Sequence, residues 1–183
     1  VDFIRGTPLL VQIFIVYFGF PQLLKELDML LRSQFGIVLF QTNPHIDAFV
    51  AAAISCSINS GAYVAEIFRA GIQSIEKGQM EAALSLGMTP RQAMRYIILP
   101  QAFRRIVPPL GNEFIAMLKD TSLLVVIGYV ELTRTGQLII ADTFRPFEIW
   151  MFVALLYLIM TLSISRLVDF TERRLGVRGH HQS

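Results

Sequence analysis

Three stretches without a charged side chain set the limits on what this chain can become. Residues 6–24 run for 19 positions without Asp, Glu, Lys or Arg, residues 48–65 for 18, and residues 149–165 for 17. A helix needs about 20 mostly apolar residues to cross the hydrocarbon core of a bilayer. Each run approaches that length. The whole chain, at 54% hydrophobic and 16% charged, is too apolar for an ordinary soluble domain. A soluble enzyme is also disfavoured because no catalytic constellation occurs. His45, His180 and His181 have no ligand spacing to a Cys or carboxylate cluster, so no metal is expected. Cys56 lies inside a run and has no second cysteine to pair with, so it reads as a small buried residue.

A fourth segment, residues 106–130, is apolar but carries Glu113, Lys119 and Asp120. The expected fold is therefore all-α: a polytopic transmembrane helical bundle with spans near residues 6–24, 48–68, 106–130 and 149–166. Residues 33–46 are uncharged but short and interrupted by Gly36 and Pro44, and read as an interfacial or re-entrant piece. The chain opens on Val1 and enters a span within a few residues, so a further N-terminal part is expected ahead of it.

Lys and Arg are unevenly divided between the alternating sides of these four spans. The start, the 69–105 loop and the tail together hold 11, whereas the other two connections hold 4. Cytoplasmic loops carry the excess of Lys and Arg. The loop and both ends are thus expected in the cytoplasm.

The loop is the most informative stretch. Residues 76–86 read as a short helix that ends at Gly87, a residue suited to the left-handed backbone there. Thr89-Pro90-Arg91-Gln92 reads as a restart, with Thr89 as N-cap, Pro90 at the first helical position and Gln92 reaching back. The second helix is expected to run to about Ile98, with Pro100 kinking or ending it. On helix chemistry alone this is a well-capped hairpin such as many proteins contain. The full spacing is more specific: Glu81-Ala82-Ala83, three residues, Gly87, nine residues, Ile97, one residue, Leu99-Pro100. This resembles the signature loop of permease subunits of ABC importers at every fixed position. Residues 3–19 (FIRGTPLLVQIFIVYFG), 57–72 (SINSGAYVAEIFRAGI) and 110–124 (LGNEFIAMLKDTSLL) resemble the polar-amino-acid branch of that family.

The resemblance implies a bacterial inner-membrane protein, multi-pass, with a cytoplasmic C-terminus. It implies a pore made with a second permease subunit, alike or related, an ABC ATPase docking at Glu81, Ala82, Ala83, Gly87 and Pro100, and an extracytoplasmic amino-acid-binding protein. The substrate would be a polar amino acid, and no nucleic acid is involved. Such permeases usually have five spans, the first before the RGTP segment, and four are visible here. No GxxxxGK[ST] phosphate loop occurs in the chain, so ATP is expected to be used by the partner and no cofactor is bound here.

Local readings stand beside these. Thr7 and Pro8 suit a helix start, with Arg5 snorkelling to the cytoplasmic interface. Ser55, Ser57, Asn59, Ser60 and Gly61 form a small, polar stripe that serves either helix packing or the substrate path, with Asn59 the candidate for the latter. Charges at membrane depth are expensive and usually face a cavity or partner. Glu113 is thus a candidate for an α-ammonium or cationic side chain, and Asn112 for a carboxylate or amide; the competing reading is a break at Pro108-Pro109 that starts the helix near Leu110 and leaves Glu113 close to the interface. Lys119 and Asp120 read either as a local pair at a broken helix, with Asp120 or Thr121 capping a half-helix over 122–130, or as substrate contacts. The alternative function is a secondary transporter driven by an ion gradient, which would use the buried charges but not the signature loop.

Overall fold

The computed structural model describes residues 1–40 and 43–174; Arg178, His180 and His181 lie outside the described residues. Among the described residues there is helix and irregular chain but no strand. After a single turn at Asp2–Arg5, α1 covers Leu9–Phe35, α2 Ala48–Gln73, α3 Lys77–Ser85, α4 Leu99–Asp120, α5 Leu132–Thr143 and α6 Pro146–Arg174. Three of these, α1, α2 and α6, are long and apolar enough to cross a bilayer.

Two prolines are carried inside helices by the same device. Phe20 donates its N–H to the Ile15 carbonyl across the π-turn Ile15–Gly19, one residue before Pro21. Leu99 donates to Met94 across the π-turn Met94–Ile98, one residue before Pro100. Proline lacks an N–H, and its ring crowds the carbonyl four residues back. A turn closed five residues back holds one extra residue and widens the helix there. Pro100 therefore does not end the second loop helix. That helix starts at Pro90 and continues through the π-turn into α4.

The charged segment also differs from expectation. No break occurs at Pro108 and Pro109, which lie inside α4, and the helix then tightens into a 3₁₀ stretch, Thr121–Ile127. Because the chain never leaves the helix, no new set of orphan amides arises to be capped. Asp120 keeps helical backbone angles and makes no side-chain cap, and Thr121 is within the 3₁₀ turn. At the N-terminus, Pro8 rather than Thr7 takes the extended N-cap position of α1, while the Thr7 hydroxyl closes the preceding turn on the Phe3 and Ile4 carbonyls.

The first connection is organised by a buried residue that composition did not reveal. Gly36 ends α1, and residues 37–40 and 43–47 have no regular structure. Residues 33–35 of the expected re-entrant piece belong to α1 itself. Asp28, about two turns back in α1, accepts the amides of Leu39 at 2.6 Å and Phe40 at 3.1 Å and pairs with Arg32 at 2.6 Å. Arg32 also donates to the Phe40 carbonyl.

The chain divides into two compact units. The N-terminal unit comprises Asp2–Ser60 and Lys119–Ala154. Its core is Leu9 and Ile13 of α1, Ala51 and Ala52 of α2, and Leu124 and Ile127 of the 3₁₀ stretch. The loop-bearing unit comprises Gly61–Leu118 and the chain from Leu155 on. Its core is Ile75, Ile98, Ala102 and Ile106. In that unit the helices approach at glycine. A Cβ at Gly71 of α2 would lie 2.2 Å from Ile106 Cγ1 of α4, and one at Gly111 of α4 would lie 2.5 Å from Val168 Cγ2 of α6. Small residues permit this approach where, as in lipid, no hydrophobic drive holds helices together. The outer faces remain apolar: on α6, Met151, Phe152, Leu155, Leu158, Ile159 and Leu162 are all exposed. A continuous stripe of that kind requires lipid or another protein against it.

Candidate functional site

The signature loop is a hairpin that holds its own shape. α3 ends with Gly87 at φ +82°, where a Cβ would be strained. The Gly87 amide donates to Leu84 at 2.9 Å and the Met88 amide to Ala83 at 3.2 Å. Those two reversed bonds are a Schellman motif, which satisfies the last carbonyls of the helix. The chain restarts at once. Thr89 is extended, its hydroxyl accepts from the Gln92 amide, and the Gln92 side chain accepts from the Thr89 amide at 2.9 Å. Both halves of the expected capping box are thus present, with Pro90 at the first position. α3 packs against both the Pro90–Ala93 turn and the π-turn that follows.

This geometry sorts the signature residues into two groups. Ala83 is only 4% exposed and Ala93 is fully buried, so they form the inside of the hairpin. Ile97 is half-buried against the core of the loop-bearing unit. Glu81, Ala82, Gly87 and Pro100 are exposed, and Leu86 stands 84% exposed beside the glycine. Ala83, expected to face a partner, instead gives its small size to packing within its own chain. Leu86 was not singled out from the sequence. The signal available was its place just before the helix-ending glycine, which turns it away from the hairpin.

The polar candidates of the spans are divided between the units. Asn112, exposed, and Glu113, half-buried, belong to the loop-bearing unit. Asn59, buried, and Asp120, half-buried, belong to the N-terminal unit. Lys119 is exposed and does not pair with Asp120, although one follows the other in the chain. The stripe on α2 also splits. Ser55 and Asn59, one turn apart, share a buried face with Ala51, Ala52 and Ala62, while Ser57 and Gly61 are exposed. Asn59 donates to Gln12 Oε1 of α1 at 3.2 Å. Gln12 had not been identified from the sequence, because nothing in a 3.6-residue pattern says which residues of two separate helices meet.

The N-terminal unit also holds an open cleft of about 380 Å³, whose lining includes Phe49, Cys56, Thr121, Tyr129 and Glu131. Phe49 and Tyr129 are tilted rings with centroids 6.1 Å apart. Glu131 is fixed by its own work as N-cap of α5, accepting the amides of Thr133 and Arg134 at 2.7 Å each. Neither Asn59 nor Asp120 lines this cleft.

Comparison with known proteins sets these features in context. Residues 1–177 match the family described as binding-protein-dependent transport system inner membrane component. The chain is 46% identical over 177 residues to the glutamine transport system permease protein GlnP of Escherichia coli (strain K12), covering 97% of this chain and 73% of that one. It is 40% identical over 171 residues to the arginine transport system permease protein ArtQ of Bacillus subtilis (strain 168), covering 93% and 70%. A crystal structure of an amino acid ABC transporter with histidines is similar at a TM-score of 0.78 and 47% identity, over 94% of this chain and 72% of that one.

Proposed function

Since the chain belongs to the binding-protein-dependent transport system inner membrane components and is a permease subunit of an amino acid ABC transporter, we propose that it passes a polar amino acid inward, driven by a separate ATPase docked on the Glu81–Gly87 hairpin. Relatives named for glutamine and arginine transport support a polar substrate. The lopsided Lys and Arg count supports a cytoplasmic hairpin and C-terminus.

The observation that carries the reading is the outward face of the hairpin. Glu81, Ala82 and Leu86 are exposed on a helix pair whose turn is held by its own caps. A preorganised surface loses little entropy on binding. Leu86 supplies an apolar anchor, Ala82 allows close approach, and Glu81 can make charge-assisted contacts to basic groups of the ATPase. Through the π-turn before Pro100 the hairpin is continuous with α4, so a pull on it is delivered to the helix that carries Asn112 and Glu113. ATP binding closes the ATPases, draws together the hairpins of two permease subunits and switches access to the pore. An extracytoplasmic binding protein delivers the amino acid. Glu113 receives an ammonium or cationic side chain and Asn112 a carboxylate or amide. Asn59 and Asp120 are the substrate candidates of the N-terminal unit.

The test is uptake and ATPase retention in membranes carrying Glu81→Lys or Gly87→Val. Both variants should insert at normal abundance, release the ATPase and lose ATP-driven uptake. Undiminished uptake with the ATPase still attached in both would defeat the docking assignment. Uptake by vesicles given an ion gradient and no ATP would instead favour a secondary transporter.

A further inference from the structure

The amide network between α1 and α2 has a polarity that can be worked out from the groups it touches. Gln12 Nε2 lies 2.7 Å from the Ile4 carbonyl, 3.1 Å from the Thr7 carbonyl and 3.0 Å from Thr7 Oγ1. Backbone carbonyls only accept. The Thr7 hydroxyl directs its own proton to the Phe3 and Ile4 carbonyls, which leaves its oxygen to accept as well. The NH₂ end of Gln12 must therefore face the N-terminal turn, and its Oε1 must face α2. A carboxamide flipped the other way would set oxygen against two carbonyls. Oε1 in turn faces Asn59, which must answer with its own NH₂ at 3.2 Å. The orientation of Asn59 is thus dictated from the Ile4–Thr7 turn, through Gln12.

What remains of Asn59 is Oδ1, which accepts no hydrogen bond in this structure. One turn away on the same buried face, Ser55 is 1% exposed and its Oγ has no partner; it is the one fully enclosed side-chain polar atom so left among the described residues. Leaving a buried hydroxyl unpaired is costly, and such groups are normally served by something. Asn59 Oδ1, held outward as an acceptor by Gln12, suits a ligand that brings a donor.

We propose that Gln12 is a positioning residue for transport: it fixes the Asn59 carboxamide so that Oδ1 is reserved for a nitrogen donor of the transported amino acid. This rests on the reading of Asn59 as facing the substrate. Gln12 itself touches no substrate. Without it, the Asn59 amide turns freely and offers the wrong end half of the time or more.

The experiment is a double-mutant cycle on the complete permease–ATPase complex, measuring direct binding of labelled L-glutamine without the binding protein. Asn59→Leu should weaken binding about tenfold, the size of one well-placed hydrogen bond. Gln12→Met, close in shape but non-polar, should weaken it about twofold or somewhat more, because the Asn59 amide then offers its oxygen at most about half of the time. In the Asn59→Leu background, Gln12→Met should then have no further effect, because it acts through Asn59. Gln12→Asn, too short to span the gap, should behave like Gln12→Met and serves if the methionine variant assembles poorly. Asn59→Asp placed in the Gln12→Met background presents an oxygen whichever way it turns, and should recover most of the loss. Equal losses from Gln12→Met in both backgrounds, no loss at all, or no recovery by Asn59→Asp overturns the positioning role. If Asn59→Leu binds like the wild type, Asn59 is not at the substrate, and the site reading fails together with this inference.

Discussion

Replacing Gly111 by alanine should destabilise the loop-bearing unit, and the sign of the effect should reverse when one neighbouring side chain is trimmed. The added Cβ would lie 2.5 and 2.6 Å from the two γ-carbons of Val168 and 3.1 Å from its Cβ. Carbon atoms prefer about 3.5–4.0 Å, so the overlap is about 1 Å. Valine in a helix has one strongly preferred rotamer, and the γ-carbons have no low-energy way to swing aside. α4 and α6 must separate instead. Overpacking of this kind costs about 1–3 kcal/mol. Alanine regains about 1 kcal/mol over glycine in a helix interior. The net loss is of order 1 kcal/mol, or a fall of about 2–4 °C in midpoint for a chain of this size. Thermal unfolding of the purified permease in detergent at one fixed scan rate, followed by helical circular dichroism, reads this directly. In a Val168→Ala background only the 3.1 Å approach to the remaining Cβ is left, which a shift of a few tenths of an ångström relieves, so the helix gain prevails and Gly111→Ala should raise the midpoint. Gly61→Ala on α2 is the control. Nothing lies within 4 Å of a Cβ there, so the helix gain stands alone and the midpoint should rise. A Gly111→Ala protein as stable as the wild type, with the same response in the Val168→Ala background, would refute the close-approach account of α4 and α6.

Thr89→Ala removes the hydroxyl half of the capping box, should cost about 1 kcal/mol locally, and should appear as faster amide exchange at Gln92 with the membrane spans unaffected. Asp28→Ala frees the Leu39 and Phe40 amides and should speed exchange at those two positions more than elsewhere in the connection. Unchanged protection at both would show that Asp28 does not hold it. Glu113→Gln at unchanged membrane abundance should weaken uptake of a cationic amino acid more than that of a neutral one, since the carboxylate charge is lost while a hydrogen-bond acceptor is kept. Wild-type affinity and rate for both would remove Glu113 from the site.

The loop shows what a local pattern can reveal. The limits of α3, the glycine at positive φ and the Thr89–Gln92 box were all readable, because each depends on residues within one helical turn of each other. The long helices α1, α2 and α6 were readable from charge-free runs for the same reason. The readings that failed concern prolines and partners. Pro100 read as a kink or an end and the Pro108–Pro109 pair as a break, but the helix runs on through both, in the first case with a π-turn that no propensity scale anticipates. The half-helix after Asp120 turned out to be a 3₁₀ continuation, since a chain that stays helical leaves no donors to cap.

Charge-free length, the capping hairpin and the signature spacing are properties of residues near one another in the chain, and the sequence alone determined them. Tertiary structure decided which way each side chain of those elements faces: that Ala83 turns inward while Ala82 turns out, that Asp28 ties down residues 11 and 12 positions ahead of it, and that Gln12 meets Asn59 across 47 residues of chain. A helical period fixes angles within one helix, whereas these contacts depend on where a second helix or loop lies against it.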